Sequence, residues 1–149
     1  MIPVVIRAAR PDDLAGMLDL YQHLNPEDAR VDDASAAASW AALLGSDLIR
    51  LLVAEVEDAL VASCMLVIMP NITRGARSFA LVENVVPHAT HRRQGIGRAV
   101  LAAALDAAWQ AGCYKVMLAT GSRQGSTWRF YEGAGFTRAT KTHFEARRV

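Results

Sequence analysis

The residues with the clearest chemical potential lie in one basic turn, whose sequence is PHATHRRQGIGR. Gly95 and Gly97 let the backbone approach a ligand closely because neither carries a Cβ, and three arginines supply cationic donors around them: Arg92, Arg93 and Arg98. The first amides of a helix have no intrahelical partner, and the helix dipole places partial positive charge there. If a helix begins here, the turn predicts a phosphate site, and its length favours a pyrophosphate. A basic solvated loop is the alternative interpretation.

Two familiar phosphate-binding motifs are excluded by the residues that follow the glycines. The phosphate-binding loop of nucleotide hydrolases needs Lys and then Ser or Thr, whereas Arg98 and Ala99 stand here. The dinucleotide fingerprint needs a third glycine and an acidic residue after the next strand, and Asp106 lies within the predicted helix instead. A different phosphate-bearing ligand is therefore indicated.

Length and composition indicate one globular domain over residues 1–149, since 149 residues suffice for a single core. The formal net charge of +1 predicts no general attraction to nucleic acid or to an acidic membrane surface. Cys64 and Cys113 lie in apolar runs and read as buried free thiols of a reducing, cytoplasmic compartment. We expect no metal site, because no Cys/His spacing suggests one, and neither a signal peptide nor a membrane span.

The pattern of apolar residues predicts the elements that must position the turn. Period-two and β-branched runs predict seven strands, at Val4–Ala8, Leu51–Val56, Leu60–Ile68, Phe79–Val86, Tyr114–Ala119, Phe136–Ala139 and His143–Arg147. Helical spacing predicts a helix that follows Pro11 and three more, at Ala34–Leu44, Ile96–Ala111 and Ser126–Ala134. The fifth strand follows a crossover helix, so we expect it to lie parallel to the fourth.

Two motifs in this order resemble the GCN5-related N-acetyltransferase (GNAT) superfamily. They are Arg92-x-x-Gly95-x-Gly97 between a strand and a helix, and FYEGAGF from Phe130 to Phe136. The resemblance implies an α/β (α+β) fold, with a mixed, mostly antiparallel twisted sheet of six to seven strands and about four helices. It also implies a V-shaped splay between strands 4 and 5.

The resemblance implies that acetyl-CoA is the co-substrate and that its pyrophosphate lies on the basic turn. The residues implied to bind it are Val85, Val86, Arg92, Arg93, Gln94, Gly95, Ile96, Gly97 and Arg98. Val85 and Val86 would pair with the pantetheine arm through their backbone groups. The chain departs from the family at Pro87, which has no N–H for such a bond, and at Gln124, where many members have Asn.

The resemblance further implies direct acetyl transfer without an enzyme nucleophile. Tyr131 matches the family's general acid, with a core aromatic as the alternative reading. Glu83 is the candidate base, because burial beside a cleft would raise the pKa of a carboxylate in an apolar strand. His88 is the competing base, and a water molecule is a further possibility.

The acceptor implied by the resemblance is a primary amine of a small molecule, in a pocket formed by residues 21–33, residues 71–77 and the region of His143. The segment ENVV, the turn and GCYKV resemble the glucosamine-6-phosphate N-acetyltransferases, although Ala119-Thr120-Gly121 replaces their acidic residues. Acidic residues at 27–33 favour a cationic acceptor, whereas Arg74 and Arg77 favour an anionic one. The alternatives are a protein or peptide N-terminal acetyltransferase and a non-catalytic acyl-CoA-binding module. A homodimer is compatible with the sequence.

Overall fold

The computed structural model describes residues 2–148. The chain forms two compact units, and it passes from the first to the second between Leu118 and Ala119. Among the described residues, the first unit contains the five-stranded sheet and four of the five α-helices. The prediction of one domain over residues 1–149 remains a prediction.

A single five-stranded sheet forms the first unit, with its strands in the order in which the chain makes them. The strands are β1 (Val5–Ala8), β2 (Ile49–Val56), β3 (Ala59–Met69), β4 (Phe79–Pro87) and β5 (Val116–Met117). Neighbours are antiparallel except for the parallel pair β4–β5, as predicted. The β2–β3 hairpin turns at Glu57 and Asp58, which both have positive φ (48° and 64°), the conformation that two-residue hairpin turns favour.

The helices of the first unit are α1 (Leu14–Gln22), α2 (Asp33–Gly45), α3 (Thr73–Ala76) and α4 (Ile96–Gln110). The Asp32 side chain caps α2 by accepting a hydrogen bond of 2.9 Å from the Ser35 amide. The short α3 is irregular, since Arg74 and Gly75 have left-handed φ values of 57° and 71°.

The two faces of the sheet are covered by different helices. α4 packs across β2, β3 and β4, and the thiol of Cys64 on β3 lies 3.9 Å from the Val100 carbonyl oxygen of α4. α1 and α2 contact the strands from the other face. The buried core beneath them consists of Met17, Leu20, Trp40, Leu51, Val53 and Val86. Burial of these apolar faces is the main force that fixes the position of the strands.

A β-bulge interrupts β4 at Asn84, whose φ is 51°. Val86 pairs with Ser63 and Glu83 pairs with Met65, so two β4 residues stand opposite Cys64 alone. The bulge reverses which face the strand's residues occupy. Val82 faces α4, because it pairs with Leu66, which shares the face of Cys64, whereas Val86 belongs to the core under α1 and α2.

The second unit contains α5 (Gly125–Gly133) and, within the described residues, no strand. The predictions of strands at Phe136–Ala139 and His143–Arg147 were therefore wrong, and the sheet has five strands rather than six to seven. Alternating apolar residues favour an extended chain, but a strand also needs a neighbour that pairs with its N–H and C=O groups. The predicted strand Tyr114–Ala119 is likewise reduced to β5, since ladder pairing reaches only Val116 and Met117.

Candidate functional site

The basic turn lies between the end of β4 and the start of α4, as predicted. It contains the 3-10 helix Ala89–His91 and then Arg93 and Gly95, which both have left-handed φ values (64° and 77°). Gly95 is the N-cap residue of α4, and an ideal Cβ built on it meets no heavy atom within 4 Å. The backbone at Gly95 is therefore open to a ligand, and glycine is the residue that adopts this conformation at least cost.

Backbone donors and cations come together at the start of α4. Within residues 2–148, no side chain caps this helix, so the amides of Ile96, Gly97 and Arg98 are available, as at any helix N-terminus. The side chains of Arg92, Arg93 and Arg98 are exposed, and no carboxylate of the described chain pairs with them. The side chain of Ile96 is buried, which anchors the helix start in the core. The arrangement is suited to an anion with several oxygen atoms.

The edge of β4 beside the turn is unpaired with β5 over most of its length. The two strands pair only at Ala80–Val116 and Leu81–Met117, whereas β4 continues to Pro87. This early divergence is the geometry expected of a splay between strands 4 and 5. The backbone around Val85 can therefore hydrogen-bond an extended ligand at this edge. Pro87 has no N–H to contribute.

Glu83 is exposed, so the structure lacks the burial on which its expected activation as a base depended. Glu83 pairs with Met65, the last regular pair of the ladder before the bulge. The adjoining Asn84 is exposed too. Sequence reasoning missed that Asn84 forms a bulge in β4, although Asn is among the few residues that tolerate a left-handed φ.

A cavity of about 220 Å3 lies between Asn84 and the segment that follows α1. Its other lining residues are Leu18, Tyr21, Gln22, Leu24, Asn25, Asp28, Ala29, Arg30 and Val31. This lining agrees with the expected acceptor segment 21–33 but includes none of residues 71–77. Burial raises the pKa of Tyr21 to about 12, so its phenol remains a hydrogen-bond donor at neutral pH. Arg30 pairs with Asp19 at 3.2 Å on the surface.

A hydrogen-bonded histidine cluster forms the first part of the basic turn. The Nδ1 atom of His88 accepts a hydrogen bond from the Thr90 amide (3.3 Å) and lies 2.8 Å from Thr90 Oγ1. The same hydroxyl lies 2.9 Å from His91 Nδ1. The His23 ring, at the C-terminal end of α1, stands 4.1 Å from the His88 ring.

Tyr131 lies in the last turn of α5, where its half-buried ring contacts two phenylalanines. The centroid of the Tyr131 ring lies 5.0 Å from the centroid of the Phe130 ring and 6.3 Å from that of Phe136. The carbonyl oxygen of Tyr131 accepts a hydrogen bond of 3.1 Å from the Phe136 amide, which closes the helix. Gln124 is the N-cap residue of α5 but makes no capping bond through its side chain. His143 is exposed, with only a contact of 4.0 Å to Glu145.

Neither a cluster of metal ligands nor a membrane-spanning helix is found among the described residues. No three His, Cys, Asp or Glu side chains among them converge as a metal site would require. Their helices include none with the length and apolar character needed to cross a bilayer.

Known proteins resemble this chain over nearly its full length. The profile of the acetyltransferase (GNAT) family matches residues 14–136. A putative acetyltransferase from Agrobacterium tumefaciens has 43% identity and a TM-score of 0.93, over 97% of this chain and 99% of that one. A glucosamine 6-phosphate N-acetyltransferase from Trypanosoma brucei brucei is 28% identical over 91% of this chain and 90% of its own. The Arabidopsis thaliana glucosamine-6-phosphate N-acetyltransferase, at 21% identity, shares the fold (TM-score 0.83; 99% and 98% covered).

Proposed function

The chain belongs to the acetyltransferase (GNAT) family, and from that premise we propose that it transfers an acetyl group from acetyl-CoA directly to a primary amine of a small molecule. The observation that carries the proposal is the start of α4. There an open glycine in the left-handed conformation, uncapped amides and exposed arginines form a site for a pyrophosphate. Solved relatives of the same fold include an aminoglycoside N-acetyltransferase in complex with CoA.

Acetyl-CoA would bind along the turn and the free edge of β4. The amides of Arg93, Gln94, Gly95, Ile96, Gly97 and Arg98 would donate to the pyrophosphate, with the side chain of Arg92 beside them. Hydrogen bonds from amides to a charged phosphate are roughly twice as strong as neutral ones. The backbone of Val85 and Val86 would pair with the pantetheine arm as an added strand does.

The chemical step forms one C–N bond and breaks one C–S bond. The amine nitrogen attacks the thioester carbonyl, and the tetrahedral intermediate collapses to the amide and the CoA thiolate. We propose that the Tyr131 phenol donates its proton to that thiolate and that Glu83 accepts a proton from the amine, directly or through water. Because Glu83 is exposed, relay through water is the simpler route.

The acceptor would occupy the cavity lined by Asn84 and residues 18–31. Most of its polar side chains are neutral hydrogen-bonding groups: Tyr21, Gln22, Asn25 and Asn84. Such groups suit a polyhydroxylated amine, while Asp28 offers a partner for an ammonium group and Arg30 for an anionic substituent. The printed name of the Trypanosoma brucei brucei relative, glucosamine 6-phosphate N-acetyltransferase, supports a phosphorylated amino sugar as the first compound to test.

The experiment is thiol release from acetyl-CoA with a panel of amines that includes glucosamine-6-phosphate, glucosamine, polyamines, aminoglycosides, amino acids and short peptides. For the best amine, we expect Tyr131→Phe to lower kcat by about a hundredfold, within the range of general acid catalysis, with little change in acetyl-CoA affinity. Tyr114→Phe is the matched control, since it also removes one phenol but keeps the ring. Equal kcat values for Tyr131→Phe and the wild type would remove Tyr131 as the acid. Turnover of peptides alone would refute a small-molecule acceptor.

A further inference from the structure

We propose that His88 is a positioning residue for the acetyl-CoA turn, and that its neutral imidazole acts as a pH-sensitive cap on the 3-10 helix Ala89–His91. His88 is the N-cap residue of that helix, and its side chain accepts from the Thr90 amide. N-cap residues are commonly Ser, Thr, Asp or Asn, none of which gains a proton near neutral pH when it acts as an acceptor. A histidine cap differs because its acceptor atom is also a titrating atom.

The hydrogen bonds around Thr90 determine where the protons lie. A backbone N–H can only donate, so Nδ1 of His88 must carry a lone pair, and the proton of the neutral ring lies on Nε2. Thr90 Oγ1 has one proton to give, and it lies between His88 Nδ1 and His91 Nδ1. Both contacts are satisfied if Thr90 Oγ1 donates its proton to His88 Nδ1 and accepts a hydrogen bond from His91, whose neutral ring then carries its proton on Nδ1. Protonation of His91 at Nε2 leaves this network intact, whereas protonation of His88 at Nδ1 removes the acceptor of the Thr90 amide.

The surroundings of His88 act on its charge in both directions. Burial, then the rings of His23 and His91, lower the pKa of His88 from its ordinary value. His88 also lines a second cavity, of about 320 Å3. Four carboxylates that would favour the charged form of His88 line this cavity too: Asp12, Asp13, Asp19 and Asp58. Of these, Asp13 is paired with Arg7, and Asp19 with Arg30. His88 is therefore neutral, and the cap intact, above about pH 6.5; as the pH falls through its lowered pKa, the cap is lost.

The capped helix joins a fixed point of the sheet to the phosphate-binding amides. The His88 amide donates to the Val61 carbonyl of β3 over 2.7 Å, and the chain reaches Gly95 a few residues later. Within this stretch Gln94 makes only a long contact of 3.5 Å, from Nε2 to the Thr90 carbonyl oxygen. The cap therefore constrains the shape of the turn together with the backbone hydrogen bond from the His91 amide to the His88 carbonyl oxygen (3.0 Å). The inference rests on the proposed binding of acetyl-CoA at this turn.

The test compares acetyl-CoA affinity at pH 8.0 and pH 5.5 by titration calorimetry in the wild type and two variants. In His88→Asn, the Asn Oδ1 occupies the place of Nδ1 and caps without titrating. We expect the loss of acetyl-CoA affinity between pH 8.0 and pH 5.5 to be about fivefold larger in the wild type than in His88→Asn. This factor corresponds to the effect of a missing N-cap. His91→Asn keeps the His88 cap and should still lose affinity in acid, but at a higher pH than the wild type, because the His91 ring lowers the pKa of His88. The ligand's own titration cancels between the proteins, and the effect should appear in the KM for acetyl-CoA rather than in kcat.

Each outcome decides the question. Identical pH responses of the wild type and His88→Asn would overturn the inference, and so would tighter binding by the wild type in acid, because a charged His88 would then attract the phosphates. If His88→Asn does not fold, the Thr90 amide resonance of the unliganded wild type decides. It should shift as His88 titrates, and an unchanged resonance would refute the cap. Absence of acetyl-CoA binding at pH 8.0, with a Thr90 amide that still titrates, would refute the proposed function alone.

Discussion

Alanine substitutions at the two ends of α4 provide the sharpest test of the phosphate turn. Gly95 precedes the helix with φ 77°, and Gly112 follows it with φ 79°. An ideal Cβ meets no heavy atom within 4 Å at either position. Gly95→Ala and Gly112→Ala therefore impose the same backbone strain without a clash inside the protein. They differ in which end of the helix is affected, since only the N-terminal end can bind an anion through its amides.

The expected loss of stability is similar for both variants. A left-handed conformation costs an alanine about 1–2 kcal/mol relative to glycine. Loss of glycine's freedom in the unfolded chain offsets about 0.4–1 kcal/mol of that. We therefore expect the free energy of unfolding, measured by urea titration, to fall by about 1 kcal/mol in each variant.

The expected effect on acetyl-CoA affinity is unequal. In Gly95→Ala the new methyl group crowds the approach of the pyrophosphate. It should disturb at least one hydrogen bond from a backbone amide to the charged phosphate. Such a bond contributes about 1.5–3 kcal/mol, so the Kd should rise at least about tenfold. Gly112→Ala should leave the Kd within about twofold of the wild type, because substitutions far from a binding site change its affinity little. Equal Kd values for the two variants, measured by calorimetry on folded protein, would refute the assignment of the turn.

Two further predictions concern the fold. Arg7 donates to Asp13 (2.7 and 2.9 Å) and to Glu55 (2.9 Å), so Arg7→Gln should lower the free energy of unfolding by about 2 kcal/mol in urea titrations at pH 7. The hydrogen bond from Arg7 lowers the pKa of Asp13, so this stabilisation is present above about pH 4 and lost as the pH falls through that lowered pKa. A stability difference between the wild type and Arg7→Gln that is as large in acid as at pH 7 would contradict this. Burial raises the pKa of Cys64 to about 12 and also raises that of Cys113, so neither thiol should react with an aromatic disulfide at pH 8 until urea unfolds the protein. Rapid labelling of the native protein would show that the α4 face of the sheet opens.

Much of the fold could be predicted because its signals are local. The apolar, β-branched run from Phe79, the glycine-bearing turn and the alanine-rich helix are each indicated by residue types within one element, and β4 and α4 lie close to their predicted bounds. The crossover rule also gave the parallel direction of β5. The predicted late strands failed because pairing depends on a partner elsewhere in the chain, which periodicity at Phe136 or His143 does not reveal.

The candidate site could be predicted less well than the fold. The sequence identifies Glu83 as an isolated carboxylate in an apolar strand, but whether a neighbouring element covers it depends on tertiary packing, and the structure leaves it exposed. Asn84 permits a left-handed φ without requiring it, so no pattern in ENVV predicts that the ladder shifts there. The histidine cap was hidden for a similar reason. His88 and Thr90 are two residues apart, and only the folded structure shows that an imidazole nitrogen takes the place usually held by an oxygen.

The bulge at Asn84 decides which helix layer the even-numbered residues of β4 face. Before the bulge Val82 faces α4, whereas after it Val86 faces α1 and α2 and is only 2% exposed. If the same residues formed a regular ladder, Val86 would stand opposite Ala62 instead of Ser63 and would turn towards α4. Removal of Asn84 would instead close the bulge and leave Val86 opposite Ser63, so the core under α1 and α2 would keep this side chain. The extra residue thus gives β4 a place where a single deletion can be absorbed without exchanging its inside and its outside.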